Sequence, residues 1–131
     1  MGRALLSVQN SIAIPRSLPQ PDVAVLAWRE DRYRSGKPRA ADIGLVIEVA
    51  DSSLRRDRDL KLPLYGRAGI RETWVVDLAA EVVIVGREPG PAGYAAVSLH
   101  RRGDRLVVPG FPDVTLTVDE ILGPPADRSG A

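Results

Sequence analysis

The sequence predicts an α/β domain in which a mixed, twisted sheet packs against one main helix. The central strand is predicted at Ile43–Ala50, where every residue except Glu48 is apolar or glycine. An apolar run of this length, rich in Ile and Val, is typical of a strand covered on both faces. The helix is predicted over about residues 54–67, and Gly69 suits the position just after its C-terminus. This strand and helix form the unit around which the rest of the chain is organised.

Shorter apolar segments predict the remaining strands, and segments rich in proline or glycine separate them. The predicted elements are strands at residues 1–14 (interrupted at 9–11), 23–28, 72–77, 81–87, 94–100, 105–108 and 114–118, and a helical turn at 118–122. Strands 94–100 and 105–108 are predicted to pair as a hairpin, because Arg102-Gly103-Asp104 between them is a turn signal. We expect residues 1–122 to form one domain and residues 123–131 to form a flexible C-terminal tail.

The composition excludes several kinds of site. The chain has no cysteine, which excludes disulfides, thiolate metal sites and cysteine nucleophiles. His100 is the only histidine, so histidine-based metal sites are excluded and Ser-His-Asp catalysis is disfavoured. No segment approaches the roughly 18 apolar residues of a membrane span, and the first residues lack the apolar core of a signal peptide. We therefore expect a cytoplasmic protein without a membrane partner.

Two carboxylates are the first candidates for a functional site. Glu48 interrupts the most apolar stretch of the chain, and a carboxylate in a covered strand must be hydrogen-bonded, paired or bound to a metal. Asp22 opens the strand at 23–28 and, by alternation, shares a face with Ala24 and Leu26. Together the two could hold Mg²⁺ (or Mn²⁺), with water in the remaining positions. Two other interpretations stay open: Asp22 caps amides of the preceding loop, and Glu48 pairs with an arginine.

Lys61 is the third candidate. It is one of only two lysines, and it follows Asp57 by four residues, so both lie on one face of the predicted helix. A lysine beside a metal site could position an attacking water and offset the charge of a phosphate. The alternative is an ordinary exposed ion pair between Asp57 and Lys61.

These residues stand in an order that resembles a known family. Pro21-Asp22-Val23, followed by the block EVADSSLRRDRDLKLPLYGRAGIRETWVVD, resembles the Uma2 family over about residues 20–122. That family is counted among the PD-(D/E)xK nuclease-like proteins and is described by the phrase "putative restriction endonuclease". The resemblance implies a restriction-endonuclease-like fold and a metal-dependent endonuclease that hydrolyses DNA phosphodiester bonds.

The resemblance also assigns roles to individual residues. Asp22 matches the motif aspartate and Glu48 the motif acid, both as catalytic residues and metal ligands, and the carbonyl of Val49 can complete the metal shell. The superfamily usually has its lysine two positions after the acid, where this chain has Ala50. Uma2-like sequences instead have a lysine on the following helix, and Lys61 matches it as a migrated catalytic lysine.

The same helix carries residues that support the site. Asp57, one turn before Lys61, is expected to orient the ammonium group of the lysine. The basic residues Arg55, Arg56 and Arg58 are expected to contact the phosphates of DNA.

The N-terminus departs from the family pattern. Relatives usually have a helical segment of several dozen residues before the motif aspartate, whereas 21 residues precede Asp22 here and none of them is acidic. One face of the sheet would then be uncovered, which favours a homodimer or reduces stability. This departure and Ala50 leave open a second hypothesis, a catalytically inactive nuclease-fold module for DNA binding or self-association. A purely structural dimer is a third.

Overall fold

A computed structural model describes residues 4–8, 12–14, 21–50 and 55–124, apart from the side chains of residue 8 and residues 55–60. The described elements are β1 (Ala4–Val8), β2 (Val23–Ala27), β3 (Ile43–Ala50), α1 (Arg55–Arg67), β4 (Glu72–Asp77), β5 (Val82–Gly90), β6 (Gly93–Arg101), β7 (Arg105–Val108), β8 (Phe111–Thr117) and α2 (Val118–Leu122). The predicted tail at 123–131 lies outside the described residues from 125 onward. No helix in the described part of the chain is both long enough and apolar enough to cross a membrane.

One mixed sheet forms the centre of the molecule. Its six strands follow chain order from β1 to β6, and β7 and β8 form a separate two-stranded sheet. Within the large sheet only β3 and β4 pair in parallel, and α1 makes the crossover between them. The structure therefore confirms the predicted fold class, a mixed sheet with one main helix after the central strand.

The large sheet is covered on both faces along its central strands. On one face, Val46 and Ala50 of β3 belong to clusters that include Tyr65 and Leu62 of α1. On the other face, Leu45 of β3 packs in a cluster with residues of β7 and α2. Every residue of β4 is buried as a result. Val46, Glu48 and Ala50 occupy every second position of β3, so the Glu48 side chain lies on the same face as the other two, the face that α1 covers.

The predicted hairpin between 94–100 and 105–108 is wrong. Strand β6 pairs instead with β5, and β7 pairs with β8. The turn at Arg102-Gly103-Asp104 exists, but it leads from the large sheet to the small one.

Strand β5 also extends through Pro89 to Gly90, beyond the last described pair with β4 at Arg87. A proline is tolerated there because that end of β5 has β6 as its one described partner.

Helix α1 and β6 approach each other closely. Gly66 of α1 lies against the backbone of Gly93 and Tyr94. Gly93 in turn adopts a positive φ of 115° beside Pro63, a conformation that favours glycine. These contacts fix the helix over the end of the sheet.

The hydroxyl of Tyr94 links β4, β6 and the segment between α1 and β4. It donates to the carbonyl oxygen of Ile70 at 2.7 Å and lies 2.7 Å from Oγ1 of Thr73, which is fully buried. Because the single phenolic proton is used for Ile70, the Thr73 hydroxyl donates to the tyrosine oxygen. Burial raises the pKa of Tyr94 to about 12, so the phenol stays protonated at neutral pH.

We expect Tyr94→Phe to lower the free energy of unfolding by about 1–3 kcal/mol, because a buried carbonyl and a buried hydroxyl lose their partner. Urea denaturation measures the change. Tyr33→Phe is the matched control, since its hydroxyl makes an exposed hydrogen bond to the Ala27 carbonyl, and its expected cost is below about 1 kcal/mol. Equal effects of the two substitutions would contradict the importance assigned to the buried contacts.

Candidate metal and active site

The candidate site lies where β2 begins and β3 ends. These strands are antiparallel neighbours, and Val23 is paired with Ile47. The next pair outward in this register is Asp22 with Glu48. The pairing thus brings together two carboxylates that are distant in sequence.

Asp22 and Glu48 each accept a hydrogen bond from the backbone of the other strand. The backbone N–H of Asp22 donates to Oε1 of Glu48 at 3.3 Å, and the N–H of Val49 donates to Oδ2 of Asp22 at 2.6 Å. Asp22 therefore caps an amide of β3 among the described residues, whereas the preceding loop at residues 15–20, which the capping interpretation named, lies outside them. The reciprocal bonds fix both carboxylates at one end of the sheet.

Lys61 completes the cluster from the helix. Its Nζ lies 3.3 Å from Oε2 of Glu48 and 6.0 Å from the centroid of the Tyr65 ring. The exposed fraction of the side chain is 29% for Lys61 and 13% for Glu48. Glu48 does have a basic partner, but among the described residues this partner is Lys61 and not an arginine. The lysine points into the site, which excludes its being a fully solvated surface residue.

The local electrostatics favour a bound cation. Burial raises the pKa of the Glu48 carboxyl above its usual value, the Lys61 ammonium group opposes this increase, and Asp22 adds to it. Glu48 thus lies beside a second carboxylate in a partly desolvated position, and Lys61 is its cationic partner among the described residues. A divalent cation would satisfy the excess negative charge.

The donor atoms fit Mg²⁺. No group of three or more His, Cys, Asp or Glu side chains suited to a metal occurs among the described residues. Mg²⁺, however, is usually held by one or two carboxylates and keeps several water molecules. The carboxylates of Asp22 and Glu48 meet this requirement, and Val49 carries the adjoining backbone carbonyl at a half-exposed position.

Comparison with known proteins shows which family the chain belongs to. The sequence model of the Uma2 family, described as "Putative restriction endonuclease", matches residues 1–119. The chain belongs to the Uma2 family. The predicted resemblance is confirmed.

A solved structure has the same fold as the Uma2 chain. The crystal structure of a "putative nuclease belonging to DUF820" from Anabaena variabilis superposes with a TM-score of 0.69 at 19% sequence identity. The match covers 91% of this chain and 68% of that one. At this identity the likeness establishes the fold alone. No curated protein matches the Uma2 chain significantly.

Several predicted site residues cannot be positioned in the Uma2 chain. The side chains of Asp57, Arg55, Arg56 and Arg58 lie outside the described residues, although their backbone belongs to α1. Their roles remain predictions. Ala50, at the usual lysine position of the superfamily, is buried in the cluster beneath α1.

Two further buried polar groups were not predicted from the sequence: Tyr65 on the face that α1 covers, and Glu72, which shares the opposite face of the Uma2 sheet with Trp74. Tyr65 is fully buried one turn after Lys61, and the spacing of four residues was the available signal. Glu72 is also buried, but its two carboxylate oxygens accept hydrogen bonds from the indole of Trp74 at 2.6 Å and from Arg87 at 3.0 Å. The Glu72 carboxylate therefore stabilises the fold through both of its oxygens, whereas the Tyr65 hydroxyl makes no hydrogen bond among the described residues.

Proposed function

We propose that this Uma2 protein is a Mg²⁺-dependent endonuclease that hydrolyses DNA phosphodiester bonds through Asp22, Glu48 and Lys61. The observation that carries the proposal is the contact of Lys61 Nζ with Glu48 Oε2 at 3.3 Å, beside the reciprocal bonds of Asp22 and Glu48. The descriptions of the family and of the solved relative as a "putative" restriction endonuclease and nuclease support the same reaction class.

Each residue has a distinct part in the proposed reaction. Asp22 and Glu48 would hold the cation with their carboxylate oxygens, and the carbonyl of Val49 would add a third oxygen. Mg²⁺ (or Mn²⁺) held there would polarise a phosphoryl oxygen and lower the pKa of coordinated water. Lys61 orients the attacking water through a hydrogen bond and compensates negative charge that develops on the phosphate. Asp57 orients the Lys61 ammonium group from one turn earlier.

The substrate is proposed to approach along the first turns of α1. Arg55, Arg56 and Arg58 precede Lys61 on this helix, and arginines bind phosphates well through charge-assisted hydrogen bonds. One active site cuts one strand, so cutting both strands of a duplex requires two copies. We therefore propose a homodimer built from nuclease-like domains of residues 1–122, with 123–131 as a flexible tail, acting on cytoplasmic DNA.

A non-catalytic module is the second candidate. Ala50 replaces the lysine that the wider superfamily has on the strand, and the Lys61–Glu48 ion pair could equally stabilise a fold that binds DNA without cleaving it. The two candidates differ in whether the lysine is needed for a reaction.

Nicking of supercoiled plasmid by the purified protein distinguishes them. We expect cleavage in Mg²⁺ or Mn²⁺ and none in EDTA, and we expect Lys61→Met to reduce the rate by about 10²–10³-fold, because one transition-state donor is lost. Lys37→Met is the matched control: Lys37 is the other lysine, it is exposed, and its rate should stay within about 2-fold of wild type.

Two outcomes would contradict the proposal. Cleavage that is equally fast in Lys61→Met would remove the lysine from the mechanism. Absence of cleavage in every variant, with circular dichroism showing an intact fold, would favour the non-catalytic module.

A further inference from the structure

The hydroxyl of Tyr65 is buried without a hydrogen-bond partner. The residue is fully buried in α1, and its hydroxyl makes no hydrogen bond to any residue that the structure describes. Every other buried side-chain nitrogen or oxygen in the described part of the chain has a partner. A buried hydroxyl without an acceptor is costly and rare, so this one calls for an explanation.

The surroundings of the hydroxyl point to the candidate site. Burial raises the pKa of Tyr65, and the nearby Glu48 carboxylate is the next largest cause, followed by Asp22. Glu48 is thus close to the phenol and raises its pKa both through its charge and through a weak hydrogen-bonding contact, although no hydrogen bond of normal geometry joins them. The phenol remains protonated at neutral pH and is a neutral donor one turn from the Lys61 ammonium group.

The present partners of Glu48 explain why the Tyr65 hydroxyl makes no hydrogen bond of normal geometry to it. Oε1 accepts from the backbone of Asp22 and Oε2 faces Lys61. A divalent cation on Glu48 would repel the positive charge of Lys61 and draw the carboxylate away from it. The cation does not repel the neutral Tyr65 hydroxyl, which can donate a hydrogen bond to the Glu48 oxygen that Lys61 has left.

We infer that Tyr65 is a positioning residue that donates its hydroxyl hydrogen bond to Glu48 when the carboxylate binds a divalent cation. The exchange of partners holds the carboxylate in its ligating orientation and releases Lys61 to act on water. Hydrogen bonds to metal ligands are commonly needed for full metal affinity. The inference rests on the proposed metal-dependent function and adds a residue that this function did not include.

Mn²⁺ binding by the full chain, followed by electron paramagnetic resonance, tests the inference. We expect Tyr65→Phe to raise the Kd for Mn²⁺ by about 10-fold or more. Its metal-free melting temperature should stay equal to or above that of wild type, since the deleted hydroxyl has no partner. Glu48→Gln should abolish binding in the same assay.

Tyr94→Phe is the matched control, because its hydroxyl is also buried but bonds Ile70 and Thr73. It should show the opposite pattern, a lower melting temperature with an unchanged Kd for Mn²⁺.

The remaining outcomes of the Mn²⁺ assay contradict either the role of Tyr65 or the metal site itself. An unchanged Kd in Tyr65→Phe, with wild-type protein binding Mn²⁺, overturns the role of Tyr65 and leaves the metal site standing. A Kd that rises only together with a lower melting temperature indicates a structural role and also overturns it. No Mn²⁺ binding by wild-type protein overturns both the inference and the metal-dependent function.

Discussion

Glu48→Gln is expected to lower the rate of plasmid nicking by about 10³-fold or more, because a bound metal contributes several kcal/mol to catalysis. Glutamine keeps the length and shape of the side chain but removes the charge that would hold the cation and attract Lys61. The substitution therefore tests the charge of the carboxylate and not the packing beneath α1. Single-turnover nicking in Mg²⁺ and in Mn²⁺ measures the effect.

The variant is expected to remain folded. The amide oxygen of glutamine can still accept the N–H of Asp22, and burial already disfavours the charged form of Glu48. Its free energy of unfolding should fall by no more than about 3 kcal/mol, the range for losing a hydrogen bond to a charged group. Glu30→Gln, at an exposed position, is the matched control and should cleave like wild type. Undiminished cleavage by Glu48→Gln would remove Glu48 from the site.

Gly66→Ala is expected to give the largest loss of stability among single substitutions in α1, about 3 kcal/mol or more. A Cβ at this position would lie 2.6 Å from both the carbonyl carbon of Gly93 and the nitrogen of Tyr94. These are backbone atoms, so no side chain can rotate to relieve the clash. Helix propensity favours alanine over glycine by only about 1 kcal/mol, so the clash decides the sign.

Urea denaturation checks this expectation. Gly36→Ala is the control, because a Cβ at Gly36 would meet nothing within 4 Å, and its effect should stay within about 0.5 kcal/mol. If Gly66→Ala were as stable as wild type, the close approach of α1 to β6 would be wrong. Melting curves of both variants should be compared with and without Mn²⁺, since α1 also carries Lys61.

The sequence predicts the central unit well because its signals are strong and local. The bounds of β3 and β4 agree with the predicted strands, since each is a continuous run of residues that favour strands; β4 is buried along its whole length, and β3 is buried or half-buried except at Val49. The prediction of a hairpin between residues 94–100 and 105–108 was wrong because strand pairing depends on contacts that are distant in sequence. A turn signal reports that the chain bends, but burial against α2 and β5 decides which strands then pair.

The candidate site follows the same division. Strand alternation, the apolar run around Glu48 and the helix spacing select Glu48, Asp22 and Lys61 as candidates without any structure, and the Uma2 resemblance then assigns a role to each. The four-residue spacing from Lys61 was too weak a signal to select Tyr65, because an aromatic residue on a helix usually belongs to the core. Only its unmatched hydroxyl, which depends on tertiary packing, distinguishes it from such a residue.

The position of Lys61 on α1 has a consequence for the order of events during synthesis. Asp22, Glu48 and Lys61 have all been translated once the ribosome passes Lys61, but α1 packs against β4, β5 and β6. The surface on which the helix docks is therefore complete only when β6 ends at Arg101, although β3 contributes part of it earlier. Until then Lys61 is held less firmly beside the acidic pair. The candidate site is thus completed late, after most of the sheet that supports it has been synthesised.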